Sequence, residues 1–303
     1  MSTPESPEPT PVEPAPTPPP TAAAPAPTDS NSLRGYHFKR LINKPPILLA
    51  IGIPALAVLA YGLASNPSIG WAFPLAVIAV GIGIVFWIAD SKAADDFFDV
   101  YAGSRGLTLG GRTDLPAATP LLRKGRKRYA TRTLSGQIAP GLEGMLALYT
   151  YEEQTSGSDG SQSTDYYNYT LGIADLPECV EHVPELYCQR KSGLRSLEKL
   201  EDAFRVNKRR VTLESEALAR RYEIFVDKDQ DDVWLRRLFS PMFIVWLTES
   251  APQKFAFELV AGILVAYVPG HKEDDANLDG VAAATGAIAK RLRDEIAETS
   301  QSS

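Results

Sequence analysis

The chain has 303 residues and carries 31 Lys and Arg residues against 37 Asp and Glu residues, a formal net charge of −6. This length is enough for about one or two domains with a sizeable core. The acidic balance argues against a general nucleic-acid-binding protein, which would carry a basic surplus, so no nucleic-acid partner is expected.

The first segment, residues 1–33, is predicted to be a disordered Pro-rich tail. Eleven of the 24 prolines lie in its first 32 residues, which contain no Lys, Arg or aromatic side chain. A segment of this composition cannot bury enough apolar surface to offset the entropy lost on ordering. A solvated spacer and a proline-motif ligand are the two interpretations of this tail, and the spacer is favoured.

Two uncharged apolar runs follow, at residues 45–64 and 70–89. A helix of about 20 residues, rising about 1.5 Å per residue, crosses the apolar core of a bilayer, and each run has this length. A buried helix of a soluble domain would show a polar face, and neither run has one. Only residues 65–69 separate the runs, so residues 34–90 are predicted to form a two-helix transmembrane hairpin.

The charges beside the first run predict the orientation of this hairpin. Arg34, Lys39, Arg40 and Lys44 precede it, whereas the connection between the runs is uncharged. Because Lys and Arg are retained on the cytoplasmic side, both termini are predicted to be cytoplasmic, in a two-pass protein of the plasma membrane. The lipid bilayer is therefore an expected partner. The spans contain no ionisable residue and are expected to act as an anchor.

Residues 91–298 are predicted to form a cytosolic α+β domain, followed by a disordered tail at 299–303. A short helix continues from the second span and ends at a glycine-rich turn. Alternating apolar and polar residues at 144–154 and 164–176 predict two antiparallel strands around a long loop. The tyrosines at alternate positions of these strands fit cross-strand aromatic pairs, with a stacking platform for a base or sugar as the alternative. They are Tyr149, Tyr151, Tyr167 and Tyr169.

The rest of the domain mixes helices and strands without regular βαβ alternation, which is typical of the α+β class. The predicted elements are a helix at 196–206, strands at 209–215 and 221–226 around a short helix, and a hairpin of strands at 255–259 and 263–268. Apolar residues at helical spacing predict a C-terminal amphipathic helix that packs on the sheet. They are Leu278, Val281, Ile288, Leu292 and Ile296.

The stretch DKDQDD at 227–232 has an Asp at alternate positions, as a calcium-binding loop does. An EF-hand loop also needs Gly at its sixth position and a bidentate Glu at its twelfth, where this chain has Asp232 and Leu238. We therefore reject calcium binding. We predict instead a turn and a helix capped by Asp231 and Asp232, then a second helix with Ser240 as its cap and Pro241 in its first turn.

Several stretches resemble a family of uncharacterised bacterial membrane proteins, in particular its actinobacterial members. They are FFDVYAGSRGLTLGG (97–111), TPLLRKGRKR (119–128), VTLESEALARRYEIFVDKDQDDVWLRRLFSPMFIVWL (211–247) and KFAFELVAGILVAYV (254–268). The resemblance covers residues 90–270. It implies an N-terminal transmembrane pair and a cytosolic domain of unknown function, and it implies no catalytic residue.

A basic run at 123–132, without any acidic residue, is the candidate binding site. Close to a bilayer, each Lys or Arg that reaches the surface adds about 1 kcal/mol of attraction to anionic headgroups. The run starts 34 residues after the second predicted span, near enough for the domain to present it to the membrane. Contact with anionic lipid headgroups and a plain solvated loop both fit this pattern. The basic residues are Arg123, Lys124, Arg126, Lys127, Arg128 and Arg132.

No catalytic, cofactor-binding or metal-binding residue is predicted, and neither a cofactor nor a metal is expected. Cys179, His182 and Cys188 have a spacing that matches no common structural zinc site, and two cysteines in a reducing compartment are usually buried thiols. The sequence has only three His residues and contains no nucleophile elbow, phosphate-binding glycine loop or HExxH motif. An enzyme is accordingly the least favoured function class.

Two non-catalytic functions remain. The first is a membrane-anchored cytosolic binding or scaffold module that recruits a partner or contacts anionic lipid. The alternative is an accessory subunit of a membrane transport or envelope-biogenesis complex. The first function depends on the basic run and the second on the hairpin itself, and both imply a membrane or cytosolic protein partner that the sequence does not identify.

Overall fold

The computed structural model describes residues 30–42, 45–65, 72–156, 161–191 and 207–302. Most of the predicted Pro-rich tail, the connection between the two predicted spans and the predicted helix at 196–206 lie outside these ranges. The predictions made for those segments therefore stay predictions.

Three helices precede the sheet: α1 (Ser30–Ile42), α2 (Pro45–Ser65) and α3 (Ala72–Arg105). Among the described residues, one helical stretch, from Pro74 to Arg105, is long and apolar enough to cross a membrane. The helix α2 has 21 residues, is strongly apolar and contacts α3. The described residues thus contain one candidate span, at the second predicted run, while the first predicted span (45–64) and the hairpin stay predictions.

Helix α1 begins at Ser30, inside the segment predicted as a tail, and it packs along α3. Leu41 of α1 lies in an apolar cluster with Val85 and Ala89 of α3. At the other end of α1, the backbone N–H and the hydroxyl of Ser30 donate to the carbonyl and carboxylate of Glu273, each at 2.9 Å. The helix is therefore held by both the apolar segment and the domain, which composition alone did not predict.

The predicted span and the short helix after it form one continuous helix of 34 residues, α3. Its last turns are amphipathic and bury Phe97, Phe98 and Tyr101 in the domain core. The helix ends at Gly106, whose φ of 65° is the left-handed conformation that glycine adopts easily. No break in the helix separates the apolar stretch from the domain.

In the part of the chain that the structure describes, nine strands form a single sheet in which every neighbouring pair is antiparallel. The strand order is β1-β2-β3-β4-β9-β8-β5-β7-β6. The strands are β1 (Thr108–Gly110), β2 (Lys127–Ala139), β3 (Leu142–Ser156), β4 (Gln162–Asp175), β5 (Glu185–Arg190), β6 (Lys208–Val211), β7 (Tyr222–Asp227), β8 (Ala256–Val260) and β9 (Ile263–Pro269). The predicted α+β class and antiparallel strand pairs are confirmed.

Within the described ranges, five further α-helices lie after α3: α4 (Pro120–Arg123), α5 (Glu216–Arg221), α6 (Asp232–Leu238), α7 (Pro241–Val245) and α8 (Asp275–Ser302). The predicted caps are confirmed, because the Asp231 carboxylate accepts from the N–H groups of Val233 and Trp234. Ser240 caps α7 in the same way, with Pro241 in the first turn. The helix α8 continues to Ser302, over the segment predicted as a tail, and Thr299 and Ser300 donate to carbonyls one turn back.

One face of the sheet, called the helical face here, is covered by α8 together with the end of α3 and helices α5–α7. The predicted apolar residues of α8 are buried there, including Leu278 and Leu292. Gly172 of β4 allows the closest approach, since a Cβ at this position would lie 2.0 Å from the Thr285 hydroxyl. The predicted packing of the C-terminal helix on the sheet is confirmed.

The opposite face is covered, among the described residues, by the segment 111–125, called the strap here. Leu115, Leu121 and Leu122 of the strap pack on a separate cluster of buried residues from β2, β3, β4, β8 and β9. This strap face is rich in tyrosine, and its strap leads directly into the basic run.

Candidate functional site

The six basic residues predicted to contact lipid do not share one surface. The strap ends at Gly125, whose φ of 76° and close approach to the Glu152 carbonyl turn the chain onto β2. Lys124 lies before this turn and is buried, and Arg132 lies further along β2 against α3. Arg123 folds back and donates to the carbonyls of Ala117 and Ala118 within the strap. The other three residues border a groove.

The Arg132 guanidinium is held by α3 rather than presented to a ligand. It forms an ion pair with Asp95 at 2.5 Å and lies over the Phe98 ring, 5.1 Å from its centroid. Its contacts attach the middle of β2 to the first part of α3 beyond the apolar stretch. Arg132 is therefore a structural contact between sheet and helix.

A groove of about 420 Å³ lies between the start of the strap and the start of β2. Four of its lining residues are cationic and one is acidic. Their charges favour an anionic ligand. The lining residues are Arg112, Asp114, Leu115, Ala117, Arg126, Lys127, Arg128 and Tyr129.

Few carboxylates neutralise this groove. Among the described residues, only Lys127 of the four cations has a carboxylate partner, Glu152, at 3.5 Å. Arg126 donates to the side-chain carbonyl of Gln154 at 2.7 Å, and Arg128 donates to the Arg123 backbone carbonyl at 3.2 Å. Both guanidinium groups keep further N–H donors, because each has five in all. The groove can therefore donate several charge-assisted hydrogen bonds to one anion.

The walls of the groove are fixed to each other. The Arg112 guanidinium lies over the Tyr129 ring, 3.7 Å from its centroid, which joins the strap to β2. Next to it, Thr113 and Ala130 exchange two backbone hydrogen bonds of 3.0 and 2.8 Å. These contacts hold the backbone of Arg112 and Asp114 in place without any ligand. Ligand binding therefore does not have to supply the free energy of ordering this wall of the groove.

The far end of the strap is held by both backbone groups of Leu121. Its N–H donates to the Glu258 carboxylate of β8 at 3.0 Å, and its carbonyl accepts from the Tyr149 hydroxyl of β3 at 3.3 Å. Leu121 itself is only 1% exposed. Two sheet side chains thus fix the strap to the sheet, and Glu258 accepts from an N–H group in the first turn of α4, which has no partner within its own helix.

Glu258 is a carboxylate buried in the middle of the sheet, with 1% exposure. Burial raises its pKa, while the Leu121 N–H, Thr119, Lys124 and Gln189 favour the charged form and limit that rise. One carboxylate oxygen, Oε1, makes no well-formed hydrogen bond among the described residues. Burying a carboxyl group without complete pairing is costly. Glu258 is therefore interpreted as a residue that binds the strap rather than one that stabilises the core.

Lys124 is the cationic counterpart of Glu258. Burial lowers the pKa of its ammonium from the ordinary 10.5 to about 8, and the charges of Glu258 and Glu153 oppose this effect. Shifted pKa values of this kind are common at active sites. Here both groups are buried between the strap and the sheet, with Lys124 only 6% exposed, so a substrate in the groove does not reach them.

The predicted cross-strand tyrosine pairs are confirmed. Tyr149 lies opposite Tyr169, and Tyr151 lies opposite Tyr167, with the Tyr151 and Tyr167 rings stacked 4.8 Å apart. Tyr151 also stacks on Tyr169, whose ring meets Tyr267 edge to face. Because these rings, apart from the half-buried Tyr167, are buried in the strap face, they are packed against one another and do not form an open platform for a base or sugar.

The remaining candidate sites lie elsewhere. Cys179 and Cys188 are buried in the core of the helical face, and burial raises the pKa of the Cys179 thiol to about 12. No group of three His, Cys, Asp or Glu side chains in the described part of the chain is arranged to hold a metal ion. In the rejected calcium loop, Asp231 caps α6 and Asp232 pairs with Arg209 at 2.6 Å.

A comparison with family models, curated proteins and solved structures finds no match to this chain. The predicted family resemblance consequently stays a prediction. The groove must be interpreted from its own residues. Arg112, Asp114 and Tyr129 were not identified from the sequence as groove residues. The polar stretch GGRTD (110–114), at the start of the strap, was the sequence feature that could have indicated Arg112 and Asp114.

Proposed function

We propose that this protein is a membrane-anchored cytosolic binding module whose groove binds an anionic group, such as the headgroup of an acidic lipid. The observation that supports this proposal best is the set of four cations, Arg112, Arg126, Lys127 and Arg128, around one preformed groove. Guanidinium groups match the geometry of phosphate oxygens, so a phosphate-containing anion fits this surface.

The membrane anchor is the second part of the proposal. In it, α2 and α3 form a two-pass hairpin in the plasma membrane, with both termini in the cytoplasm. The apolar stretch of α3 and the contact of α2 with α3 support this arrangement. Its orientation is supported by the basic residues that precede α2, of which Lys39 and Arg40 are exposed on α1.

The position of β2 supports contact with the inner leaflet. Asp95 lies six residues beyond Ala89, the end of the apolar run, which is about 9 Å along a helix. The Asp95–Arg132 ion pair attaches β2 at that point, and the strand starts five residues before Arg132, at Lys127. The groove therefore belongs to the strand that α3 holds nearest to its apolar stretch.

The test is binding of short-chain phosphatidylglycerol to the full-length protein in a neutral detergent, measured by native mass spectrometry. Replacing Arg112, Arg126 and Arg128 with Gln should weaken binding about 100-fold, at about 1 kcal/mol for each cation. A matched control replaces the exposed Arg220, Arg236 and Lys290 with Gln, which changes the net charge equally at a distance from the groove. An equal loss of binding in both variants would show that net charge alone determines lipid binding, and it would contradict a role for the groove.

A further inference from the structure

The groove contains one carboxylate, Asp114, and its presence needs an explanation. Asp114 lies among four cations, yet it forms no ion pair and accepts no side-chain hydrogen bond within the described residues. Arg112 is two residues away but stacks on Tyr129 instead. Its carboxylate is therefore able to accept a hydrogen bond from a ligand in the groove.

The chemistry of an ionised carboxylate limits what Asp114 can contact. It only accepts hydrogen bonds, and it repels a phosphate. Asp114 is exposed, so water hydrates its carboxylate in the free groove, and a ligand that displaces this water must supply a donor in its place, either a hydroxyl or an ammonium group. The four surrounding cations disfavour an ammonium group, because like charges at close range repel, whereas a neutral hydroxyl carries no such penalty.

The size of the groove fits a single small group. Its volume of about 420 Å³ lies at the lower end of the range of roughly 300–1,000 Å³ for small-molecule sites. The cations Arg126, Lys127 and Arg128 come from β2 or the turn before it, and Asp114 comes from the strap opposite them. One ligand can thus place an anionic group on one wall and a hydroxyl donor on the other.

We infer that the groove binds a polyol phosphate, with the phosphate held by the guanidinium groups and a hydroxyl donating to Asp114. This inference rests on the proposed function and adds the ligand class. A lipid headgroup such as phosphoglycerol or phosphoinositol and a free polyol phosphate share this chemistry. The bridge between Thr113 and Ala130 fixes the backbone next to Asp114. A contact with the Asp114 carboxylate would therefore favour ligands that carry a hydroxyl at the matching position.

The experiment compares short-chain phosphatidylglycerol and phosphatidylinositol, which carry hydroxyls, with phosphatidate and phosphatidylserine, on the full-length protein in neutral detergent. The wild type should bind the hydroxyl-bearing lipids about tenfold more tightly, the effect of one hydrogen bond to a charged group. Glycerol 3-phosphate and inorganic phosphate form the soluble arms. A preference for glycerol 3-phosphate without lipid binding would support the same chemistry with a free ligand as its source.

The variant Asp114→Ala separates selectivity from charge. It should bind phosphatidate as tightly as the wild type or more tightly, because a negative charge is removed, while its preference for hydroxyl-bearing lipids falls to less than about twofold. The control Asp229→Ala removes an exposed carboxylate elsewhere and should keep the wild-type preference.

The two proposals fail in different ways. If the wild type binds all four lipids equally, or prefers phosphatidylserine, the polyol-phosphate inference is overturned. In that case, loss of binding in the Arg112, Arg126 and Arg128 variant still supports an anion-binding groove. If that triple variant binds every lipid as the wild type does, the proposed function itself is overturned.

Discussion

The two faces of the sheet are covered in opposite ways. On the helical face, α8 and the end of α3 bury an almost wholly apolar cluster that includes Phe257, Leu259 and Leu264. On the strap face, an irregular segment with one short helix covers tyrosines and a buried carboxylate. The helical face stabilises the fold through apolar burial, whereas the strap face uses polar groups to position a segment that borders the groove.

Strand β8 shows this difference within three residues. Phe257 and Leu259 point to the helical face, and Glu258 between them points to the strap face, as the alternation of a strand requires. The same strand thus contributes both to the apolar core and to the attachment of the strap. A structural element that serves only stability would have an apolar residue in place of Glu258.

The largest expected effect comes from the helical face. Leu259→Ala removes a side chain with 0% exposure from beneath the helices and should cost about 2–5 kcal/mol of unfolding free energy. Leu121→Ala in the strap, where Leu121 is 1% exposed, should cost less, because an irregular segment collapses into a cavity more easily. Thermal unfolding of the full-length protein in nanodiscs measures both, at about 2–4 °C of Tm per kcal/mol. Equal losses would contradict this comparison of the faces.

An intermediate effect is expected from Lys124, as a pH dependence. Its ammonium has a pKa of about 8 in the folded protein and 10.5 ordinarily, so between these values the unfolded chain holds more protons. Stability should therefore rise with pH across this window, by about 3 kcal/mol at 1.36 kcal/mol per pH unit. Lys124→Met should lack this rise, whereas Lys290→Met, at a site with 74% side-chain exposure, should retain it. Denaturation measured from pH 8 to 10.5 checks the difference, and parallel curves for both variants would contradict it.

The smallest effect is expected where the strap is tied by a single neutral hydrogen bond. Tyr149→Phe removes the donor to the Leu121 carbonyl and should cost about 0.5–1.5 kcal/mol. The same change at Tyr166, which is 61% exposed, should be close to neutral. Hydrogen exchange of the strap amides should accelerate in the first variant and leave the amides beneath α8 unchanged. Uniform acceleration across the domain would show that the strap is not a separately held segment.

Much of the fold was predictable because its signals are local. Alternation in β3 and β4, the caps of α6 and α7, and the periodicity of α8 each depend on neighbouring residues, and the structure confirms them. Helix α1 was missed because it is held by contacts with α3 and Glu273, which no local pattern reveals. The continuation of the second predicted span as a helix that ends at a glycine-rich turn was predicted from the spacing of Phe97, Phe98 and Tyr101, and α3 confirms it.

The groove was predictable only in part, since it combines segments that are distant in sequence. Arg126, Lys127 and Arg128 follow from the basic run, but Arg112 joins them only because the strap returns to β2 beside Tyr129. Lys124 looks identical to its neighbours in the sequence, yet it is buried, where the charge of Glu258, far along the chain, opposes the effect of burial on its pKa. Charge clustering thus identifies the region, and tertiary contacts decide which cations are accessible.

For the proposed membrane anchor, the unbroken helix α3 has a consequence for how the domain would face the bilayer. A straight helix advances about 100° per residue, so the number of residues between its apolar stretch and the buried Phe97 and Phe98 fixes the azimuth of the whole domain. In the proposed anchor, a single inserted residue would rotate a different surface towards the lipid, and three further residues, about 400° in all, would bring the original surface back to within about 40°. In that arrangement the register along one helix, rather than a flexible linker, selects the surface that meets the membrane.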